Sequence, residues 1–179
     1  MMRTIDPKAS TLLVIDFQTK LMPAIDQGAV AVANTRRLID AAALLAVPVL
    51  FTEQNAKGLG PTVPELSPDL DAVVHKMTFD AVRMPGFLTQ LKEERRHVVV
   101  AGCEAHVCVL QTVLGLLDYR IRAYVVRDAL GARQAESKEA AIHRMERHGA
   151  EIVTTEMVIF EWLGTAEHPR FREAMALVK

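Results

Sequence analysis

VVVAGCEAHVCVLQT, residues 98–112, runs from a block of valines through a glycine into a turn and a helix start that together carry both cysteines of the chain. A run of apolar, mostly β-branched residues without in-and-out alternation describes a strand covered on both faces, which is the habit of parallel sheets. The same signature recurs in TLLVID (11–16), VPVLFT (47–52), AVVHK (72–76), HVVVAG (97–102), RAYVVRD (122–128) and AEIVTT (150–155). Helical spacing falls between these runs, at about 28–46, 86–94, 107–119 and 136–148, with one or two further helices after 156. In SKEAAIHRMERHG (137–149), Ala141, Ile142 and Met145 make an apolar stripe, Ser137 reads as the N-cap and Gly149 as the stop. Strands alternating with helices predict right-handed crossovers. The expected fold class is therefore α/β: a three-layer α/β/α sandwich around a mainly parallel sheet of about six strands, forming one domain over residues 1–179.

Composition narrows the function classes. The chain has 179 residues, enough for one substantial core. Its formal net charge is −1, which supplies no field for nucleic acid or an anionic membrane surface. AAALLAVPVLF (41–51) is too short to span a bilayer and is divided by Pro48. MMRTIDPKAS lacks the apolar core of a secretory signal, so a cytoplasmic location is expected. The two cysteines fit a reducing compartment, where a thiol is either inert or catalytic. IDFQTKLMP (15–23) contains no glycine, which counts against a flavin or dinucleotide phosphate loop after the first strand. One long aperiodic connection, EQNAKGLGPTVPELSPD (53–69), reads as a surface loop, or as a lid or oligomer arm beside a site.

Ligands of open parallel sheets bind beyond the carboxyl ends of the strands. Asp16 ends the first run, Lys76 the third, and the fourth leads through Gly102 into the cysteines. Singly these residues read as a turn former, a solvated amine and a small core residue. Together they are a base, a cation and a nucleophile. Cys103 and Cys108 have four residues between them, which is not redox-pair spacing, and the nearest histidines, His75 and His106, fall into no zinc-ligand pattern. Cys108 heads a helix whose buried stripe is expected at Leu110, Val113, Leu114 and Leu117. A helix start favours thiolate and offers N–H groups to an oxyanion, so Cys108 is the nucleophile candidate and a depressed thiol pKa is expected, with Asp16 opposing it. Gln18, Met22, Phe79 and His106 are candidate pocket residues, each equally readable as packing or turn. His143 and His148 fall on a solvated helix face.

LLVIDFQTKL, HKMTFDAV, VVVAGCEAHVCVLQTVLGLLDYRIRAYVVRDALGAR and HRMERHGAEIVTTEMVIFEWL together resemble the isochorismatase-like cysteine hydrolases, over nearly the whole chain and in the family's order. TEQNAKGLGPTVPEL (52–66) resembles the isochorismatase domain-containing branch, related to YcaC-type hydrolases. The resemblance implies a hydrolase with Asp16 as acid/base, Lys76 as electrostatic stabiliser and Cys108 forming a thioester with a small amide, carbamoyl or related acyl substrate. It also implies a cis peptide between Cys103 and Glu104 that aims the backbone N–H groups of Glu104 and Cys108 at the oxyanion, and a homo-oligomer. Nicotinamidases of this family carry a metal site of Asp and histidines after the second strand. This chain has only Glu53 there and no histidine between Phe51 and Val74, so no metal and no cofactor is expected. Ala105 stands where the turn commonly has Thr. Two other functions compete: hydrolysis of a vinyl ether, as in isochorismatases that lack the cysteine, and a non-enzymatic binding or assembly role. The late segment MVIFEWLGTAEHPRF (157–171), with Met157, Ile159, Phe160 and Trp162, reads as core or interface.

Overall fold

The computed structural model describes residues 3–66, 68–91 and 94–179. Six parallel strands form one sheet: β1 (Ser10–Ile15), β2 (Val49–Gln54), β3 (Val73–Lys76), β4 (His97–Cys103), β5 (Arg122–Gly131) and β6 (Glu151–Val153), ordered β3-β2-β1-β4-β5-β6. The chain thus winds outward in both directions from the β1/β4 pair, and the crevice at that switch point is where a ligand can enter. Every residue of β1 and β4 is buried, as the unbroken apolar runs require.

The strands still alternate, but between two apolar layers. Leu12, Val14, Val99 and Ala101 face one core with Leu38 of α1 (Gly28–Leu44), Trp162 of α6 (Thr155–Leu163) and Ala174 of α7 (Phe171–Val178). Leu13, Ile15, Val98 and Val100 face the other, with Phe87 of α3 (Phe87–Gln90), Val113 of α4 (Leu110–Asp118) and Met145 of α5 (Ala135–Arg147). At the switch point β1 and β4 approach closely around Gly102. A Cβ there would lie 2.6 Å from Ile15 Cβ and 2.8 Å from the Ile15 carbonyl, so only glycine fits without displacing β1.

Several boundaries differ from the sequence expectation. β2 continues through Glu53 and Gln54, because these residues pair with His75 and Lys76 of β3. They belong to the sheet, and the connection expected at 53–69 begins two residues later, at Asn55. It holds α2 (Ala56–Leu59) and a 3₁₀ turn at Pro64–Leu66. Far from hanging free, it is fastened to the chain after Asp16: Thr19, Lys20 and Val63 N–H groups donate to the Pro61, Leu59 and Phe17 carbonyls. β5 runs past Asp128 to Gly131, since a register shift against β4 between Val100 and Gly102 lets pairing resume at Leu130. That moves the start of α5 to Ala135, with Gln134 as its N-cap, and Ser137 lies inside the helix. β6 ends at Val153 because the Thr154 hydroxyl turns to cap α6, accepting the Met157 N–H at 3.4 Å. The helix expected at 86–94 is the single turn of α3, with residues 92–93 outside the described part.

The helix expected at 107–119 begins earlier, as a π-turn at Ala105–Val109 that continues into α4. A π-turn holds one residue more than an α-turn, and each residue turns a helix by about 100°. The buried face of α4 comprises Leu110, Thr112, Val113 and Leu116, while Leu114 and Leu117 are half-buried against the same core. In the late segment Ile159 and Trp162 are core, whereas Met157 and Phe160 are exposed. Among the described residues no helix is long and apolar enough to cross a membrane.

Candidate active site

Asp16 is the first residue beyond β1 and is almost fully buried. Its φ of 52° is left-handed, a conformation Asp tolerates better than most residues, and it turns the carboxylate inward over the sheet edge. Lys76, the last residue of β3, reaches across the end of β2 and donates to Asp16 Oδ2 at 2.7 Å. The same ammonium also donates to the carbonyls of Thr78 at 3.2 Å and Phe79 at 3.4 Å. The other carboxylate oxygen, Oδ1, accepts from the Thr52 hydroxyl at 2.6 Å. Buried charges persist when paired and fully hydrogen-bonded, and this pair is both.

Cys108 sits in the π-turn between β4 and α4 and is 7% exposed. Its thiol lies close enough to the Asp16 carboxylate and the Lys76 ammonium for both to act on its titration. Three groups from three strand ends, far apart in sequence, thus meet at the switch point. The depressed thiol pKa expected from the sequence is not what this environment produces. Burial, and next the Asp16 carboxylate, push Cys108 up to about 12, and Lys76 only partly opposes them. The physical reason is that Lys76 is already committed to Asp16: the thiol faces a neutral pair in a dry site rather than an isolated cation. Burial likewise pushes the Cys103 thiol up, and Cys103 is packed against Gly131 of β5.

The peptide between Cys103 and Glu104 is cis. Glu104 opens the π-turn, and its carbonyl accepts the N–H groups of Val107 at 3.0 Å and Val109 at 3.3 Å.

The remaining candidates are placed unequally. Gln18 is buried, but its amide is engaged elsewhere: Nε2 donates to the Gly60 and Gln54 carbonyls at 2.7 and 3.0 Å, and Oε1 accepts the Gln54 N–H at 2.9 Å. It fastens the 55–63 segment instead of presenting a polar group to a pocket. Met22 packs on the first turn of α1, its methyl group near Gly28. Phe79 contributes its carbonyl to Lys76 while its ring is exposed. His106 is half-buried, and its Nδ1 is buried without a hydrogen-bond partner among the described residues. Glu53 accepts the Thr62 N–H and hydroxyl at 2.6 and 2.8 Å, with His75 Nδ1 3.4 Å from its other oxygen. His143 and His148 are exposed.

Thr52 escaped the sequence reading. A threonine ending an apolar run carries no signal of its own; only the parallel register, which sets Ile15 beside Thr52, brings its hydroxyl to Asp16. Thr52→Val keeps the shape and removes the donor. It is expected to cost about 1–3 kcal/mol of stability, read from the urea midpoint at unchanged m-value.

Comparison with known proteins agrees with this architecture. The profile of the isochorismatase domain matches residues 10–157. Isochorismatase domain-containing protein 2 of Macaca fascicularis is 38% identical over 175 residues, covering 97% of this chain and 84% of that one. A secreted isochorismatase effector of Phytophthora sojae, Isc1, is 32% identical over 180 residues, covering 97% and 86%. Among solved structures, MAR1 ribonuclease from Caenorhabditis elegans superposes with a TM-score of 0.90 at 36% identity, covering 98% of this chain and 92% of that one.

Proposed function

The chain belongs to the isochorismatase family, and from that premise we propose that it is a cysteine-dependent hydrolase of a small amide, carbamoyl or related acyl compound. The observation that carries this reading is the convergence of Asp16, Lys76 and Cys108, with a buried 2.7 Å ion pair beside the thiol. A thiol held near 12 is protonated at neutral pH. Asp16 therefore takes the proton as Cys108 attacks the carbonyl carbon, so that thiolate forms only as the new bond does. Lys76 keeps the cluster neutral as negative charge moves from carboxylate to sulfur to carbonyl oxygen. The Glu104 and Cys108 backbone N–H groups receive that oxygen. Collapse of the tetrahedral intermediate breaks the C–N bond, and the proton held by Asp16 leaves with the amine. Water, with Asp16 again as base, then cleaves the thioester.

A second reading comes from the names of several structural neighbours. The 36% identical structure is named a ribonuclease, which would make the scissile bond a phosphodiester. A net charge of −1 offers RNA little electrostatic attraction, so acyl chemistry is preferred. Exposed Met157 and Phe160, with Met77 and Phe79 near the site, support assembly into a homo-oligomer. Incubation with a small-amide library and with p-nitrophenyl acetate, followed by peptide mass spectrometry, is expected to show an acyl group on the Cys108 peptide and none on the Cys103 peptide. Cleavage of a defined RNA with no acyl adduct from any compound would replace the first reading with the second.

A further inference from the structure

Glu104 carries a side chain that the proposed chemistry leaves unused. Its carboxylate is buried beside the nucleophile turn, where an anion works against a developing oxyanion, and yet among the described residues it is held by one residue: Arg133 donates its backbone N–H to Oε2 at 3.0 Å, and its Nε to Oε2 at 3.0 Å and to Oε1 at 3.2 Å. Arg133 lies two residues beyond the end of β5, and its neighbour Ala132 is itself held by the Asp26 N–H donating to its carbonyl at 3.0 Å. The tie therefore runs from one main chain to another through a single side chain. It closes on the same residue whose carbonyl anchors the π-turn through Val107 and Val109. A surface ion pair between two long side chains holds nothing in place. A buried carboxylate that also takes a backbone N–H fixes direction.

We propose that Glu104 and Arg133 are positioning residues that aim the backbone N–H groups of the nucleophile turn at the oxyanion. This inference rests on the cysteine-hydrolase reading and adds to it a geometric support from the end of β5. Arg133 also cancels the carboxylate's charge, so the tie is made without a net anion beside the oxyanion. Displacing such donors by a fraction of an ångström weakens acyl transfer, but it leaves alkylation untouched, because iodoacetamide reacts by displacement of iodide and forms no oxyanion.

The test compares the two reactions at Cys108 in the full chain. With p-nitrophenyl acetate, the C–S bond forms, the bond to p-nitrophenolate breaks and the thiol proton goes to Asp16. The p-nitrophenol burst reports the rate. Glu104→Ala is expected to slow the burst roughly tenfold or more while iodoacetamide labelling of Cys108 stays within about twofold of wild type. Glu104→Gln, whose amide oxygen still accepts from Arg133, is expected to restore the burst to within about threefold. Arg133→Met, which keeps the backbone donor and removes the guanidinium, should fall between, and it serves if the alanine variant does not fold. An unchanged burst in Glu104→Ala or, failing that, in Arg133→Met overturns the proposal; so does an equal fall of both rates, which marks a structural role only. If wild type itself gives no acyl adduct on Cys108, the hydrolase reading fails first and this inference falls with it.

Discussion

Lys76→Met is expected to lower the unfolding free energy by about 3–5 kcal/mol and the melting temperature by roughly 10 °C. The reasoning starts from burial. Asp16 is 1% exposed and Lys76 3% exposed, so neither charge has water to fall back on. Methionine matches the length of the lysine stem and removes the ammonium, which leaves the buried Asp16 carboxylate without a cation, beside the neutral Thr52 hydroxyl and Cys108 thiol. Two carbonyls, of Thr78 and Phe79, lose a donor as well. Breaking one partner of a buried pair costs far more than removing both, so the double variant Asp16→Asn/Lys76→Met should recover much of the loss. Asparagine suits the left-handed backbone at position 16 as well as aspartate does. Urea denaturation of wild type, the single variants and the double variant closes the cycle. A Lys76→Met variant as stable as wild type, or a double variant less stable than Lys76→Met, would show that the pair carries no such weight. The same substitution removes the cation that opposes the rise of the Cys108 thiol, so iodoacetamide labelling should slow as well.

That much of the site is legible in sequence follows from the sheet. Unbroken apolar runs of this length, rich in β-branched residues, read as strands covered on both faces, parallel strands present all their carboxyl ends on one edge, Asp16 and Lys76 stand where runs stop, and the fourth run leads through Gly102 into the turn that carries Cys108. What the sequence withheld depends on quantities that no single segment contains. Strand order decides that Lys76 must cross the end of β2 to meet Asp16, and register decides that Thr52 supplies its second hydrogen bond. The π-turn before α4 has no signature in the helical spacing, and Leu114 and Leu117 lie at the margin of the core, half-buried. Gln18 looked like a pocket residue because it follows Asp16, and only the folded 55–63 segment reveals where its amide goes. The thiol's environment was misjudged for a related reason. From sequence Lys76 is a cation near a cysteine, whereas in the fold it is half of a neutral pair, and burial then prevails.

This last point separates two reactivities that are usually expected to move together. Because burial and Asp16 hold the thiol near 12, iodoacetamide labelling of Cys108 should climb about tenfold per pH unit from pH 6 to 10 without a plateau. In Asp16→Asn the carboxylate that raises the thiol is gone and Lys76 has no anion to hold, so the ammonium turns to sulfur and thiolate becomes the favoured partner. The sign is fixed by the charges: an anion removed lowers the pKa of a neighbouring acid, and a cation freed lowers it further. Labelling near pH 7 should therefore speed up, and the pH profile should shift to lower pH. Acyl transfer should do the opposite. Without Asp16 nothing accepts the thiol proton as the carbonyl is attacked, and nothing returns one to the leaving amine, so turnover should fall by about 10²–10⁴. A more reactive cysteine in a less active enzyme is the signature of a base that works during attack rather than before it. If Asp16→Asn slows labelling and turnover alike, the carboxylate acts only by holding the site together. If it leaves both unchanged, Asp16 is no part of the chemistry, and the nucleophile must find its base elsewhere, with the unpartnered Nδ1 of His106 the first place to look.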